Sequence, residues 1–110
     1  MEKTVVVFRA PRSGAFKGYV TAVFPCDPHD DRGHEMVCYA HIGQHSGCDM
    51  GWYRTTRPAT PEEYADLKRE LENYGPPDAH YNLPVRKRIP HNAAGKRFAE
   101  ARRLSVFGQS

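Results

Sequence analysis

The chain has 110 residues, 39% hydrophobic and 26% charged, with a formal net charge of +3. That length accommodates one domain with a modest core and excludes two, and the apolar share excludes a wholly disordered chain. No stretch approaches the ~20 consecutive apolar residues of a membrane span, and the run Val5 to Phe8 is too short for the apolar centre of a signal peptide. The expectation is a cytoplasmic protein without membrane contact.

The net charge hides an asymmetry. Residues 1–80 carry nine Lys/Arg against twelve Asp/Glu, a net of −3, whereas residues 81–110 carry seven Lys/Arg against Glu100 alone, a net of +6. A basic end on an acidic body suits an acidic partner, nucleic acid or an acidic protein face. The three cysteines, Cys26, Cys38 and Cys48, are an odd number in a reducing compartment, which argues for thiols or metal ligands rather than a disulfide framework.

Thr4 to Arg9 is rich in β-branched residues and predicts a strand, broken by Ala10-Pro11-Arg12-Ser13-Gly14. Gly18 to Phe24 predicts a second strand, with Tyr19, Thr21 and Val23 on one face and Val20, Ala22 and Phe24 on the other. The two form an antiparallel hairpin, and Pro25 ends it. Cys26 to Gly33 reads as a loop of turn-forming residues, Glu35 to Ile42 as a third strand, and the glycine-rich Gly43 to Gly51 as another loop. Trp52 to Thr56 reads as a short fourth strand.

The strongest local signal follows. Thr60 suits an N-cap, Pro61 the first helical position, and Glu63 completes a capping box. Tyr64, Leu67, Leu71 and Tyr74 then fall on one apolar stripe that should dock on the sheet, and Gly75-Pro76-Pro77 stops the helix. Tyr81 to Ile89 predicts a last strand, pushed towards a sheet edge by Pro84. Ala94 to Phe107 predicts a second helix with Ala94, Phe98, Ala101 and Leu104 loosely on one side. The expected fold is α+β: a small antiparallel sheet in the order β-β-β-(β)-α-β with one covering helix, a domain over residues 1–89, and a basic tail over 90–110, helical or disordered.

The runs VVVFR, AVFP, HIGQHSGCD, TRPATPEEYADLKRELE and VRKRI resemble a family of short, uncharacterised proteins found in bacterial genomes, prophages and phages, over about residues 3–89. The chain departs from that pattern in the Cys26–His34 loop and the Pro76–His80 link. The resemblance implies a mobile-element setting and assigns no activity.

Several constellations could carry chemistry. Cys38, His41, His45 and Cys48 give a C-x2-H-x3-H-x2-C spacing of thiolates and imidazoles, the ligands zinc prefers. A core cysteine with hydrogen-bonding loop histidines is the commoner outcome, because on a strand Cys38 and His41 point to opposite faces. Cys48 with His45 and Asp49 has the residue types of a nucleophile, a base and an orienting group, but sequence neighbours rarely form such an arrangement, so no catalytic residue is assigned. Asp27, Asp30, Asp31 and Glu35 beside His29 and His34 form an acidic loop that could hold a divalent ion or could simply be solvated. Arg86, Lys87, Arg88, Lys96, Arg97, Arg102 and Arg103 are candidate contacts for nucleic acid or an acidic partner. His45, Trp52 and Tyr53 are candidate protein-interface residues, since aromatic side chains dominate binding hot spots.

The favoured expectation is a non-enzymatic accessory protein of a phage or mobile element, without cofactor. It would bind a host protein or protein complex, and inhibition of a host defence or regulatory system is one form of this. A nucleic-acid-binding accessory protein using the basic tail, and a small zinc-binding domain built on residues 26–49, are the alternatives.

Overall fold

A computed structural model describes residues 5–12, 19–40, 44–73 and 84–108. The fold is α+β. Strands β1 (Val6–Pro11), β2 (Thr21–Pro28), β3 (Met36–Ala40), β4 (Gln44–Cys48) and β5 (Thr56–Pro58) form a sheet in the order β4-β3-β2-β1-β5, antiparallel throughout. Helix α1 (Met50–Arg54) links β4 to β5, helix α2 (Pro61–Glu72) follows, and after the two-residue strand β6 (Val85–Arg86) comes helix α3 (Ala93–Gly108).

The sheet is more extensive than the proline and glycine signals suggested. Strand β1 does not break at Ala10-Pro11, because Ala10 pairs with Arg57 and Pro11 with Thr56 of β5. Pro25 does not end β2 either. The ladder shifts register there, from Phe24↔Val37 to Pro28↔Met36, and this bulge absorbs the missing N–H of Pro25. Strand β5 occupies the C-terminal half of one edge of β1, and β6 runs parallel to its N-terminal half through Val6↔Val85 and Val7↔Arg86. The predicted last strand is thus reduced to Val85–Arg86, and its residues 81–83 lie outside the described ones.

Two further expectations give way. The segment read as a Gly43–Gly51 loop contains β4, and the segment read as a strand at Trp52 to Thr56 begins as α1, with Asp49 as N-cap accepting from the Trp52 N–H at 2.8 Å. Gly47 misled the reading because its glycine answers a packing need inside a strand. A Cβ there would lie 2.3 Å from His29 Nδ1.

The predicted alternation on β2 holds, and it divides the core. On one face Val6, Phe8, Val20, Ala22, Phe24 and Tyr39 pack with Leu67 and Leu71 of α2. On the other, Val7, Val23, Met36, Cys38 and Cys48 are covered by Met50, Trp52 and Tyr53 of α1 and by Ile89. One covering helix was expected, but both faces have cover.

Helix α2 forms as its sequence predicts, with the Thr60–Glu63 capping box closed in both directions and Leu67 and Leu71 buried. Tyr64 stacks on Phe8 with ring centroids 4.4 Å apart. The helix ends at Glu72 with Asn73 as C-cap, and the predicted Tyr74 and Gly75 positions lie outside the described residues. Helix α3 exists, and of the four residues expected on one side Ala101 is buried. Among its described side chains Ala93, Arg97 and Ala101 are buried, whereas Ala94 is exposed, Phe98 is 43% exposed and Leu104 is 48% exposed. Residues 93–101 are packed onto the sheet, chiefly against β2, instead of extending from it. Among the described residues no helix is long and apolar enough to cross a membrane.

Candidate functional site

Cross-strand register assembles the one sulfur-rich region. Cys38 pairs with Ser46, and Cys48 with Met36, so Cys38, Ser46 and Cys48 share the face of the sheet that α1 covers. The Cys38 sulfur lies 3.1 Å from Ser46 Oγ, and Cys48 follows two residues along β4 on the same face. Both cysteines line a pocket of about 310 Å³ between β3, β4 and the start of α1, walled also by Thr21, Glu35, Asp49 and Trp52.

The pair shares its protons unequally. The Cys48 hydrogen bond, opposed by burial and aided by Ser46, lowers the Cys38 pKa from 9.0 to about 6. The same contact and burial push Cys48 up. These shifts favour ionisation of Cys38 over Cys48, with Ser46 Oγ placed to donate to the Cys38 sulfur. His29 sits on the far side of β4, since the space it fills at Gly47 lies opposite the Ser46 and Cys48 side chains. Its Nδ1 is 3.3 Å from Glu35 Oε1.

Of the four residues with zinc-like spacing, the two cysteines share one face and one pocket. His41 lies outside the described residues, and His45 occupies the alternate register position, opposite Tyr39. Among the described residues no three His, Cys, Asp or Glu side chains converge as metal ligands would. In the acidic loop, Asp30 is occupied by the turn itself. Its Oδ1 accepts from the Glu35 N–H at 3.1 Å, a contact that lowers its pKa.

Trp52 and Tyr53 act first as cover for the sheet. Trp52 is half-buried in the pocket wall. Tyr53 lies beneath the Arg9 guanidinium, 4.1 Å from its ring centroid, and its hydroxyl accepts from the Ile89 N–H at 3.4 Å. Arg9 is only 5% exposed and donates to Thr56 Oγ1 at 2.7 Å and to the Thr56 carbonyl at 2.8 Å. Burial lowers its pKa.

The basic segment separates into two kinds of cation. Arg97, expected to contact a partner, is 4% exposed, and its guanidinium donates to the Gly33 carbonyl at 2.6 Å and the Pro25 carbonyl at 2.8 Å. It pins α3 to the β2 bulge and the following turn, and so leaves the candidate contact set. Gly33 is required where it stands, at φ +79° with Phe98 Cδ1 2.9 Å from any added Cβ. Arg86, Lys87, Arg88, Lys96, Arg102 and Arg103 are exposed, with Arg103 paired to Glu100 one turn back.

The buried anchoring roles of Arg9 and Arg97 are not expected from the sequence. Arg9 carried a signal, since it ends the run Val5 to Phe8 at a position sharing a face with Val7. Arg97 carried none beyond its spacing of four from Ala93 and Ala101. Comparison of the chain with protein-family models, curated proteins and solved structures finds no match to any of them.

Proposed function

We propose that this protein is a non-enzymatic binding module that docks an acidic surface of a partner protein on the outward side of α3. The observation that carries the reading is the division of labour along that helix. Arg97 is consumed in anchoring, so the helix is held on the sheet while Lys96 stays exposed and Arg102 stays exposed one turn after the half-exposed Phe98. A pre-positioned set of cations and an aromatic ring loses little entropy on binding and matches the composition of protein hot spots.

An acidic protein face fits better than nucleic acid. The Phe98 ring already meets the Arg97 guanidinium at 5.4 Å and the His34 ring edge-on at 6.1 Å, so it is not a free platform for stacking bases. Arg103 is partly neutralised by Glu100. The family resemblance supplies the setting, a host protein or protein complex in the host cytoplasm, with interference in a defence or regulatory system as one form.

The test is affinity capture from host lysate with wild-type protein and a Lys96→Glu/Arg102→Glu variant, each with and without nuclease. The expected result is a stoichiometric protein that survives nuclease, elutes with salt and is lost with the charge-reversed variant. Nuclease-sensitive capture would transfer the site to nucleic acid. Equal capture by both proteins would remove α3 from the interface.

A further inference from the structure

The Cys38–Cys48 pair lies away from α3 and has no part in the docking proposed above. Two thiols on one face of the β3–β4 ladder, with a serine hydroxyl 3.1 Å from the first of them, line a common pocket of about 310 Å³ that a small solute can enter. Neither is a disulfide; both are free thiols, as is Cys26. A structural core cysteine needs neither a thiol neighbour nor an opening.

We propose that Cys38 and Cys48 form a peroxide-reactive dithiol, in which Cys38 is the attacking sulfur and Cys48 the resolving one. The substrate class is a small hydroperoxide, with hydrogen peroxide as its simplest member. The Cys38 thiolate attacks one peroxide oxygen and breaks the O–O bond. The leaving hydroxide takes a proton to become water, and Cys38 becomes a sulfenic acid. Cys48 sulfur then attacks the Cys38 sulfur, the S–O bond breaks, and a second water leaves. In balance, one peroxide accepts two electrons from two thiols and yields one disulfide and two waters.

The surroundings suit each step. Ser46 Oγ at 3.1 Å is a donor that stabilises a thiolate on Cys38, and the neighbouring Cys48 thiol acts in the same direction. Glu35 and Asp49 line the pocket, and their charges add to the Cys38 contact and burial in disfavouring a second thiolate on Cys48. Cys48 therefore keeps its proton until Cys38 has reacted. The pair sits diagonally across the β3–β4 ladder. Diagonal positions are roughly 7–8 Å apart at Cα, beyond the roughly 4.4–6.8 Å a relaxed disulfide spans. The bridge is thus strained, draws edge strand β4 towards β3, and is readily reduced by cellular thiols. A reversible modification follows from that geometry, where a structural disulfide would persist.

Cys26 is an internal control. It is half-buried, and burial raises its pKa. A lowered pKa raises thiolate population but reduces intrinsic nucleophilicity, so the expected advantage of Cys38 over Cys26 at neutral pH is roughly several-fold. The experiment treats reduced, full-length protein with hydrogen peroxide in the presence of a chelator and follows intact mass and the linked peptides. Wild type should lose two hydrogens per chain, show a Cys38–Cys48 linked peptide, and revert with dithiothreitol. Cys48→Ser should stop at a Cys38 sulfenic acid that a dimedone probe labels, and Cys38→Ser should yield neither product. Circular dichroism and melting of each variant confirm that it is folded. Oxidation at Cys26 ahead of the pair, or no dimedone adduct on folded Cys48→Ser, would overturn the proposal.

Discussion

Helices α2 and α3 dock on the same sheet by opposite physical means. Helix α2 buries Leu67 and Leu71, adds Tyr64 stacked on Phe8, and closes its own N-terminus with a capping box. Its attachment is hydrophobic and its start is local. Among its described side chains helix α3 buries two alanines and one arginine, and Arg97 makes two hydrogen bonds to carbonyls of β2 and the turn after it. Apolar burial is forgiving of small displacements, whereas a buried cation is stable only while its partners remain in place. The contrast implies that α2 belongs to the cooperative core and that α3 can release as a unit.

The comparison breaks first at Leu71. This side chain is fully buried in the α2 face of the core, and Leu71→Ala should cost about 3 kcal/mol through lost transfer energy and the cavity left behind. Urea unfolding should show one transition at lower midpoint, with protection from hydrogen exchange falling in every element together. A loss confined to α2 would mean that α2 is no more integrated than α3.

Arg97 gives the complementary case. Arg97→Met keeps the length of the side chain but orphans the Gly33 and Pro25 carbonyls. With part of the loss offset by the desolvation of the charge no longer required, the net cost should be about 2 kcal/mol. The location of the effect matters more than its size. Protection should fall over residues 93–104 first, and alkylation of Cys26, which senses the charges of Lys96 and Arg97, should accelerate while the strands stay protected. Simultaneous loss in the strands would show that α3 is part of the same cooperative unit as α2.

The same contrast explains what the sequence could reveal. Everything that defines α2 lies within a dozen residues of Thr60, so cap, stripe and boundary were readable. The alternation of β2 was readable for the same reason. Arg97 takes its meaning from Pro25 and Gly33, 72 and 64 residues away, so local periodicity groups Phe98 and Leu104 with Ala101 and passes over the arginine. Gly47 reads locally as a loop signal because the His29 ring that requires it arrives from another element. The Cys38–Cys48 contact depends on the β3–β4 register, which the predicted loop at Gly43–Gly51 concealed. Local signals were legible, and those completed by a distant partner were not.

The smallest effect is also the sharpest test of how self-contained the α2 start is. Glu63 bonds the Thr60 N–H at 2.8 Å and pairs with Arg57 at 2.7 Å. Arg57, followed by the Thr60 N–H, holds its carboxyl down from 4.5 to about 2. A carboxyl whose folded pKa is depressed contributes fully above its unfolded value, so this contribution is complete above pH 4.5 and disappears as pH falls through about 2. Glu63→Gln should therefore destabilise by at most about 1 kcal/mol at neutral pH, the pair being partly solvated. The gap between variant and wild type should close as the pH approaches 2. Paired melts across that range decide the matter. A gap that persists at the acid end would mean that Glu63 acts through packing on Arg57 and Pro58 rather than through its charge, and the start of α2 would then depend on β5 as α3 depends on β2.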